Sequence, residues 1–318
     1  MRSFSIVLRT AATITLVLAF ETACHRRPIK STQPGPPSGA QLAELWVEPD
    51  GTRDLFYGVG GKRLAPDPER KYKVIEIKGV GFSEGYTLLD PDKREWSAKL
   101  PPEAHSEVVS SRIHWALGYH QPPIYLLPKW DANTPTPAGA RLPARFREKN
   151  PDLNGLEDEG QWSYYENPFV GTRQLNGLLV LQVILGNSDL KDSNNVLYQL
   201  KNPLEGAKQW YVARDLGQSV GRSGTMNAPR NDVEAFESSP FIRGIANGKV
   251  QFDYKGRHMP LFDNITPADV RWICDRLNRL TDRQLQDAFR AGGYEREIAD
   301  RFIKKLKQKA AEGLALKG

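Results

Sequence analysis

The sequence has few cysteines, with only two in 318 residues. Cys24 falls in an N-terminal segment with the features of an export signal. Cys274 is then left without a partner, which argues against a disulfide framework. Cys274 shares a helical stripe with Val270, Ile273 and Leu277, so the pattern predicts a buried core residue and not a catalytic thiol.

Histidine is also scarce, with five in the chain. None has the spacing of a metal-ligand set, because His105 and His114 lie nine positions apart on one predicted helix, and a metal hydrolase is therefore disfavoured. Blocks of like charge are absent as well. The formal charge of +6 is spread along the chain, which gives no support to nucleic-acid binding and equally suits an anionic ligand such as a nucleotide.

The first 24 residues predict export. Arg2 and Arg9 give a positive start, and the apolar run over residues 10–20 is too short to span a bilayer as a mature helix. Ala23-Cys24 resembles a bacterial lipoprotein cleavage site. An uncleaved anchor is the alternative.

We expect a protein of the cell envelope, tethered to the membrane through Cys24 or otherwise periplasmic or secreted. The match to a lipoprotein site is imperfect, because Glu21 stands where a leucine-like residue is expected. Residues 25–41 are rich in Pro and Gly, and they are predicted to form a flexible tether between the anchor and a folded domain.

Residues 42–128 are predicted to form a small lobe of antiparallel strands. The predicted strands are residues 72–78, 86–89 and 96–100. The first connection contains Gly79, Gly81 and Gly85, and glycines let a hairpin backbone lie close over a phosphate chain, although an ordinary hairpin turn explains them equally. The third strand carries Lys99.

A helix is predicted to follow, from residue 103 to 117. Glu103 in its first turn complements the helix dipole whatever else it does. Glu107 lies one turn further in, where the dipole no longer explains it. It is either a solvated surface carboxylate or the partner of a nearby cation.

Residues 129–318 are predicted to form a second, mainly helical lobe. Residues 129–167 have no clear period and are predicted to be largely irregular, and residues 218–243 to form a mobile polar loop. A hairpin is predicted from residues 249–254 and 259–262. The predicted helices are residues 172–185, 267–280, 281–291 and 294–314.

A dense polar stretch, residues 186–195, lies between the apolar helix 172–185 and a short strand. Asp189 and Asn194 stand five positions apart there, with Lys191 between them. In phosphoryl transfer an Asp can hold the attacking hydroxyl, and an Asn five positions later can hold a metal ion. Two short strands that bracket a turn would then place Asp215 beside Asn194, where a second metal-binding carboxylate is needed.

In this order, the strand lysine Lys99, the segment from Asp189 to Asn194, and Asp215-Leu216-Gly217 resemble the protein-kinase superfamily. Asn187-Ser188 in place of a His-Arg pair before Asp189 is similar to the atypical branches, which are the HipA-type, lipid-kinase-like and secretory-pathway kinases. The resemblance covers residues 70–222. It implies an α+β, bilobal fold with a small antiparallel β lobe and a mainly helical C-terminal lobe.

The resemblance implies that Lys99 holds the α- and β-phosphates of ATP and pairs with Glu107 or Glu103. Gly79, Gly81 and Gly85 would cover the phosphates, although their spacing departs by one residue from the usual Gly-x-Gly-x-x-Gly. The helix glutamates also follow Lys99 more closely than in typical protein kinases.

The resemblance also implies the roles of the polar stretch. Asp189 would orient the acceptor hydroxyl and act as the base, and Lys191 would steady the transferred phosphoryl charge. Asn194 and Asp215 would ligate Mg²⁺.

Together these residues predict a monomeric, ATP- and Mg²⁺-dependent phosphotransferase that acts on a protein or a small hydroxyl acceptor. Its expected contact with membranes is through the N-terminal anchor alone, and no contact with nucleic acid is expected. The alternatives are an inactive pseudokinase or surface binding lipoprotein, which the scarcity of ATP outside the cytoplasm favours, and a nucleotidyl transferase on the same fold.

Overall fold

The computed structural model describes residues 27–79, 81–132, 142–153, 155–225 and 227–317, with the backbone alone for Glu159. The predicted export segment and Cys24 lie outside these residues. Within the described ranges, no helix combines the length and the apolar character that a membrane span needs.

Strands and helices are mixed along the described chain. The strands are β1 (Lys30–Ser31), β2 (Lys71–Lys78), β3 (Gly85–Leu89), β4 (Glu95–Lys99), β5 (Ile124–Leu127), β6 (Asp131–Ala132), β7 (Ala144–Glu148), β8 (Glu157–Gly160), β9 (Glu166–Asn167), β10 (Asn195–Leu204), β11 (Ala207–Ala213), β12 (Ile242–Ala246) and β13 (Lys249–Phe252). The α-helices are α1 (Gly39–Leu42), α2 (Glu103–Ala116), α3 (Arg173–Leu185), α4 (Val233–Ser238), α5 (Pro267–Arg279), α6 (Asp282–Ala291) and α7 (Arg296–Leu314).

The N-terminal half is built on a six-stranded sheet with the order β5-β7-β4-β3-β2-β6. Its first three strands in the chain, β2, β3 and β4, confirm the predicted strands to within one or two residues. Aromatic side chains pack on one another along this sheet and are wholly buried, among them Tyr72, Tyr86, Trp96 and Phe146. Such large side chains supply most of the apolar area that holds a small sheet together.

The prediction that residues 129–167 are largely irregular is wrong for part of the segment. Strand β7 pairs antiparallel with β4 on one side and with β5 on the other. The sheet therefore continues past the predicted lobe boundary at residue 128. The strand was missed because Arg145, Arg147 and Glu148 break the apolar alternation that identifies a strand in a sequence.

The C-terminal half is organised around α3. Thr172 caps its first turn by accepting a hydrogen bond from the Leu175 amide, and Gly186 ends it in the left-handed conformation with φ of 73°. Helices α5, α6 and α7 confirm the predicted C-terminal helices to within two residues, and they pack with α3 in one core. Cys274 is fully buried in that core, as predicted.

The predicted hairpin of residues 249–254 with 259–262 is wrong. Strand β13 pairs with β12 instead, through a turn at Asn247 and Gly248 whose φ angles are 51° and 71°. Asn-Gly is the pair that this type of two-residue turn favours, because both positions need positive φ. Residues Met259–Phe262 form a short 3₁₀ helix.

Two segments predicted to be flexible are instead packed against the fold. The segment 218–243 contains α4 and buries Phe236 and Phe241. The sequence did not predict this packing, because the apolar residues of the segment are too widely spaced to give a recognisable period. In the tether, β1 pairs in parallel with β9. The proline and glycine content of the tether predicts a flexible segment and does not indicate this strand, because the residues that pair with it, Glu166 and Asn167, lie far along the chain.

The architecture is therefore mixed α+β, as predicted, with a curled N-terminal sheet and a helical C-terminal half, and it is consistent with a kinase-like fold.

Candidate active site

A cluster of charged side chains, most of them buried, lies where the sheet meets α2 and the segment after β11. Lys99, the last residue of β4, places its Nζ 3.1 Å from Glu107 Oε2 and 3.5 Å from Glu103 Oε2, and it also contacts the Asp215 carboxylate. We call Lys99, Glu103, Glu107, Asp215 and the nearby Arg145 the floor. Both predicted partners of Lys99 are thus in contact with it.

The charged groups of the floor stabilise one another in their ionised forms. Burial acts to lower the pKa of Lys99, but attraction to Glu107 and Asp215 outweighs it and the pKa is raised. Burial acts to raise the pKa of Glu107, yet Arg145 and Lys99 hold it below its usual value. Burial also acts to raise the pKa of Asp215, and Lys99 outweighs it. All three groups are therefore charged at neutral pH.

Glu107 is the most enclosed member of the floor, with 2% of its side chain exposed. The alternative of a solvated surface glutamate is therefore wrong. Arg145 Nε lies 3.1 Å from Glu107 Oε1, and Arg147 approaches the same oxygen at 3.9 Å. Both arginines come from β7, the strand that the sequence did not reveal.

Helix α2 also fixes the segment that carries Asp215. Ser106 Oγ donates a hydrogen bond to the Gly217 carbonyl at 2.6 Å. A Cβ on Gly217 would lie 2.6 Å from the Cβ of Glu103, so the close packing of this turn on α2 requires glycine. Asp215 itself is left-handed, with φ of 57°, a conformation that Asp tolerates better than most residues.

A second group of charges, which we call the mouth, consists of Asp189, Lys191 and Arg257. Lys191 Nζ lies 2.8 Å from Asp189 Oδ2, and Arg257 Nε lies 3.2 Å from Asp189 Oδ1. Asn194 donates hydrogen bonds from its amide to the Asp189 carbonyl and to Oδ2, at 2.8 and 3.2 Å. Each oxygen of the Asp189 carboxylate therefore has a cationic partner.

The predicted neighbourhood of Asn194 and Asp215 is also present. Asn195 pairs with Ala213 across β10 and β11, and the Arg214 amide donates to the Asn194 carbonyl at 3.1 Å. Asp215 follows this contact by one residue, and this strand pair is the device that brings it toward the loop of Asp189.

A buried polar chain supports the loop from below. His114 Nδ1 donates to the Ser110 carbonyl at 2.7 Å, which leaves Nε2 to accept a hydrogen bond from Gln182 at 3.1 Å. Gln182 Oε1 accepts from Asn187, and Asn187 Oδ1 accepts from the Asp189 amide, at 2.9 and 3.1 Å. Burial lowers the pKa of His114 to about 4, so the imidazole is neutral and its acceptor is available.

Floor and mouth border one cavity of about 720 Å³, a size typical of sites for small molecules. Of the predicted site residues, its wall includes Gly81, Lys99, Glu103, Asp189, Lys191 and Asp215. Glu107 lies behind Lys99, and Asn194 lies behind Asp189.

The structure does not bring the other two predicted glycines to the cavity. Gly79 and Gly85 are not among the described residues of its wall, and Gly85 belongs to β3. Phe82 and Ser83 line the cavity in their place. The prediction for these glycines rests on their spacing, and spacing does not tell which of them lie within a strand.

Arg230 is a further wall residue that the sequence analysis missed. Its NH1 lies 2.5 Å from Glu103 Oε1, and its guanidinium stacks 3.6 Å from the centroid of the Phe82 ring. It joins the segment after Asp215 to the connection between β2 and β3, which closes one side of the cavity.

The donor set at this cavity fits a magnesium ion. Among the described residues, no three His, Cys, Asp or Glu side chains are arranged to hold a metal by themselves. Mg²⁺ in phosphate-transfer sites needs no such cage, because it takes one or two protein oxygens and completes its shell with phosphates and water. Asp215 supplies an oxygen donor of this kind on the cavity wall, and Asn194 supplies a second one from behind Asp189.

No family model matches the chain, and no curated protein matches it. Among solved structures, the chain is similar to the crystal structure of a Helicobacter pylori proinflammatory kinase, CtkA, at 12% sequence identity and a TM-score of 0.35. The aligned region covers 79% of this chain and 98% of that one.

Proposed function

We propose that this protein is an ATP- and Mg²⁺-dependent phosphotransferase whose acceptor is a hydroxyl group. The observation that carries the proposal is the meeting of Lys99, Asp189, Lys191 and Asp215 at one cavity, from segments far apart in the chain. Lys99 ends β4, which is the third of the predicted strands, and it pairs with a helix glutamate and faces two aspartates. Kinases use this arrangement of side chains to transfer phosphoryl groups.

In this proposal the floor holds the donor. Lys99 binds the α- and β-phosphates, and Glu107 keeps the ammonium in position at 3.1 Å. Asp215 and Asn194 would hold the magnesium ion, which would neutralise the phosphate charge. The direct contact of Asp215 with Lys99 then gives way to contacts with the donor, because each of the two charges gains a partner of opposite sign.

The mouth handles the acceptor. Asp189 orients the attacking hydroxyl and takes its proton as the hydroxyl oxygen bonds to the γ-phosphorus and ADP leaves. Lys191 neutralises charge on the group in transfer. The protein contributes positioning and charge neutralisation, which are the main sources of catalysis in this class of reaction.

We further propose that this domain works at the cell envelope, held by the N-terminal segment. Arg27, the first described residue, lies 2.6 Å from Asp192 and stacks on Tyr165 at 5.2 Å. A lipid on Cys24 would therefore hold the loop of Asp189 close to the membrane surface, since extended chain spans only about 3.5 Å per residue.

Thermal-shift and transfer measurements on the purified full-length protein test the activity. We expect ATP with Mg²⁺ to stabilise the wild type, Asp215→Asn to lose most of this stabilisation, and Asp189→Asn to keep it while losing transfer of radiolabelled phosphate. Absence of nucleotide-dependent stabilisation in the wild type would contradict the proposal. Nucleotide binding without transfer would identify a pseudokinase.

A further inference from the structure

A second cavity adjoins the mouth, and neither the motifs nor the proposed reaction accounts for it. It has a volume of about 290 Å³ and shares the wall residues Gly224, Thr225 and Asn227 with the main cavity. We call it the side cavity. Its charged wall residues are Arg222, Lys255 and Asp253.

The balance of charge in the side cavity is positive. Asp253 is already neutralised by Arg243, whose Nε lies 2.8 Å from Asp253 Oδ1. Among the described residues, neither Arg222 nor Lys255 forms an ion pair. Two cations thus share a concave surface in which the only acid among the described wall residues is already paired, and this arrangement attracts anions.

Arg257 connects the side cavity to the mouth. Its backbone amide donates to the Ser188 carbonyl at 3.0 Å, and a Cβ on the preceding Gly256 would lie 2.7 Å from the Ser188 Cβ. The chain at Lys255–Arg257 is therefore held directly against the loop of Asp189. The Arg257 side chain is 53% exposed, so it can change its conformation while its backbone stays in place.

An incoming hydroxyl competes with the two cations for the Asp189 carboxylate, because each carboxylate oxygen already has one. The pair with Arg257 is the easier one to break: it is the longer of the two, at 3.2 Å against 2.8 Å for Lys191, and the more exposed. The displaced guanidinium then lies beside the acceptor. Its planar donors match a carboxylate or a phosphate.

We propose that the acceptor is an acidic polypeptide segment, with its hydroxyl at Asp189 and the acidic side chains that flank it on Arg257, Arg222 and Lys255. The inference rests on the proposed phosphotransferase and names its substrate class. A polypeptide fits better than a small metabolite, because these three cations are exposed, whereas a site for a small molecule encloses most of its ligand.

Fluorescence anisotropy with the full-length protein tests this inference without relying on activity. The probe is a fluorescein-labelled peptide in which a serine is followed by glutamates, and the matched probe carries glutamines instead. We expect the glutamate peptide to bind about tenfold more tightly than the glutamine peptide, since three exposed charge pairs contribute a factor of about two to three each. Added salt should weaken the binding.

Two variants locate the binding, and a third controls for surface charge. Arg257→Ala, and separately Arg222→Ala combined with Lys255→Ala, should each weaken glutamate-peptide binding by about two- to fivefold. Arg279→Ala removes an arginine that is also exposed and paired with an aspartate, Asp275, at a position outside both cavities. It should leave binding unchanged.

The outcomes separate the substrate class from the reaction. Equal binding of the two peptides, insensitivity to both variants, or displacement of the peptide by glycerol phosphate at lower concentration than by unlabelled peptide would overturn the inference, even if ATP is bound and hydrolysed. Selective binding through Arg257 without any phosphate transfer would uphold the acidic-peptide site and overturn the phosphotransferase.

Discussion

The floor and the mouth contain ion pairs of nearly the same length in different surroundings. Lys99 and Glu107 are 3.1 Å apart with 16% and 2% of their side chains exposed, whereas Lys191 and Asp189 are 2.8 Å apart with 40% and 26% exposed. Distance alone would make the two pairs equivalent. Burial makes them different, because removing one partner of an enclosed pair strands a charge out of water, whereas an exposed partner is simply rehydrated.

The difference matches what the proposed reaction requires of each region. A floor that binds the donor benefits from charges whose positions are fixed before the ligand arrives, since no reorganisation is then needed. Glu107 is held from two sides, by Lys99 and by Arg145. In the proposed reaction the mouth exchanges its partners when an acceptor enters, and exposed pairs exchange readily.

Breaking the floor should have the largest effect. Lys99→Met keeps the length of the side chain but removes the cation that three carboxylates contact. We expect the free energy of unfolding to fall by about 3–5 kcal/mol, because Glu107 is buried and keeps only its arginine partners. Urea denaturation at pH 7 measures the change.

The matched control for this prediction is Lys201→Met. Lys201 also pairs with a glutamate, Glu157, at 2.5 Å, but 65% of its side chain is exposed. Its loss should change the free energy of unfolding by less than about 1 kcal/mol. Equal effects of the two substitutions would show that burial does not distinguish the floor.

The second prediction concerns the buried chain under the mouth. His114→Leu removes the acceptor of the Gln182 amide, so we expect a loss of about 1–3 kcal/mol in the free energy of unfolding at pH 7. Activity should also fall, through the turnover number more than through the KM for ATP, because Gln182 and Asn187, which position the Asp189 amide, lose their contact with His114 while the floor is unchanged.

The pH dependence of that loss provides an internal check. The unfolded chain protonates His114 below its ordinary pKa of 6.5, whereas the folded protein resists protonation until about 4. The wild type therefore loses up to about 3 kcal/mol from this group as the pH falls through that window. His114→Leu lacks this contribution, so the stability gap between the two proteins should narrow from pH 7 to pH 5. A constant gap would contradict the neutral buried imidazole.

The same contrast explains which parts of the site the sequence predicted. Lys99, Asp189 and Asp215 stand at the ends of strands or directly after an apolar helix, and their order along the chain is a property of the sequence. Arg145 was not predictable in this way. A strand that carries buried arginines looks like a solvated loop until the carboxylate that neutralises one of them, Glu107, is known to lie opposite.

Arg230 and Arg257 were missed for a related reason. Their partners Glu103 and Asp189 are 127 and 68 positions away in the chain, and no local pattern encodes such a contact. The hairpin of β12 and β13 is different, since its Asn-Gly turn is a strong local signal, whereas the wrongly predicted hairpin rests on the apolar run of residues 259–262.

The smallest predicted effect lies at the mouth itself. In a double-mutant cycle with Asp189→Asn and Lys191→Met, we expect a coupling free energy below about 1 kcal/mol, because both side chains contact water. High salt should reduce it further, since exposed charges are screened within a few ångströms at about 1 M ionic strength. The parallel cycle with Glu107→Gln and Lys99→Met should give a larger coupling that salt scarcely changes. Urea denaturation of each variant at low and high salt measures both coupling free energies. A coupling at the mouth as large and as insensitive to salt as that of the floor would contradict the prediction. Lys191 would then be held rigidly on Asp189 and would not be available to follow the transferred phosphoryl group.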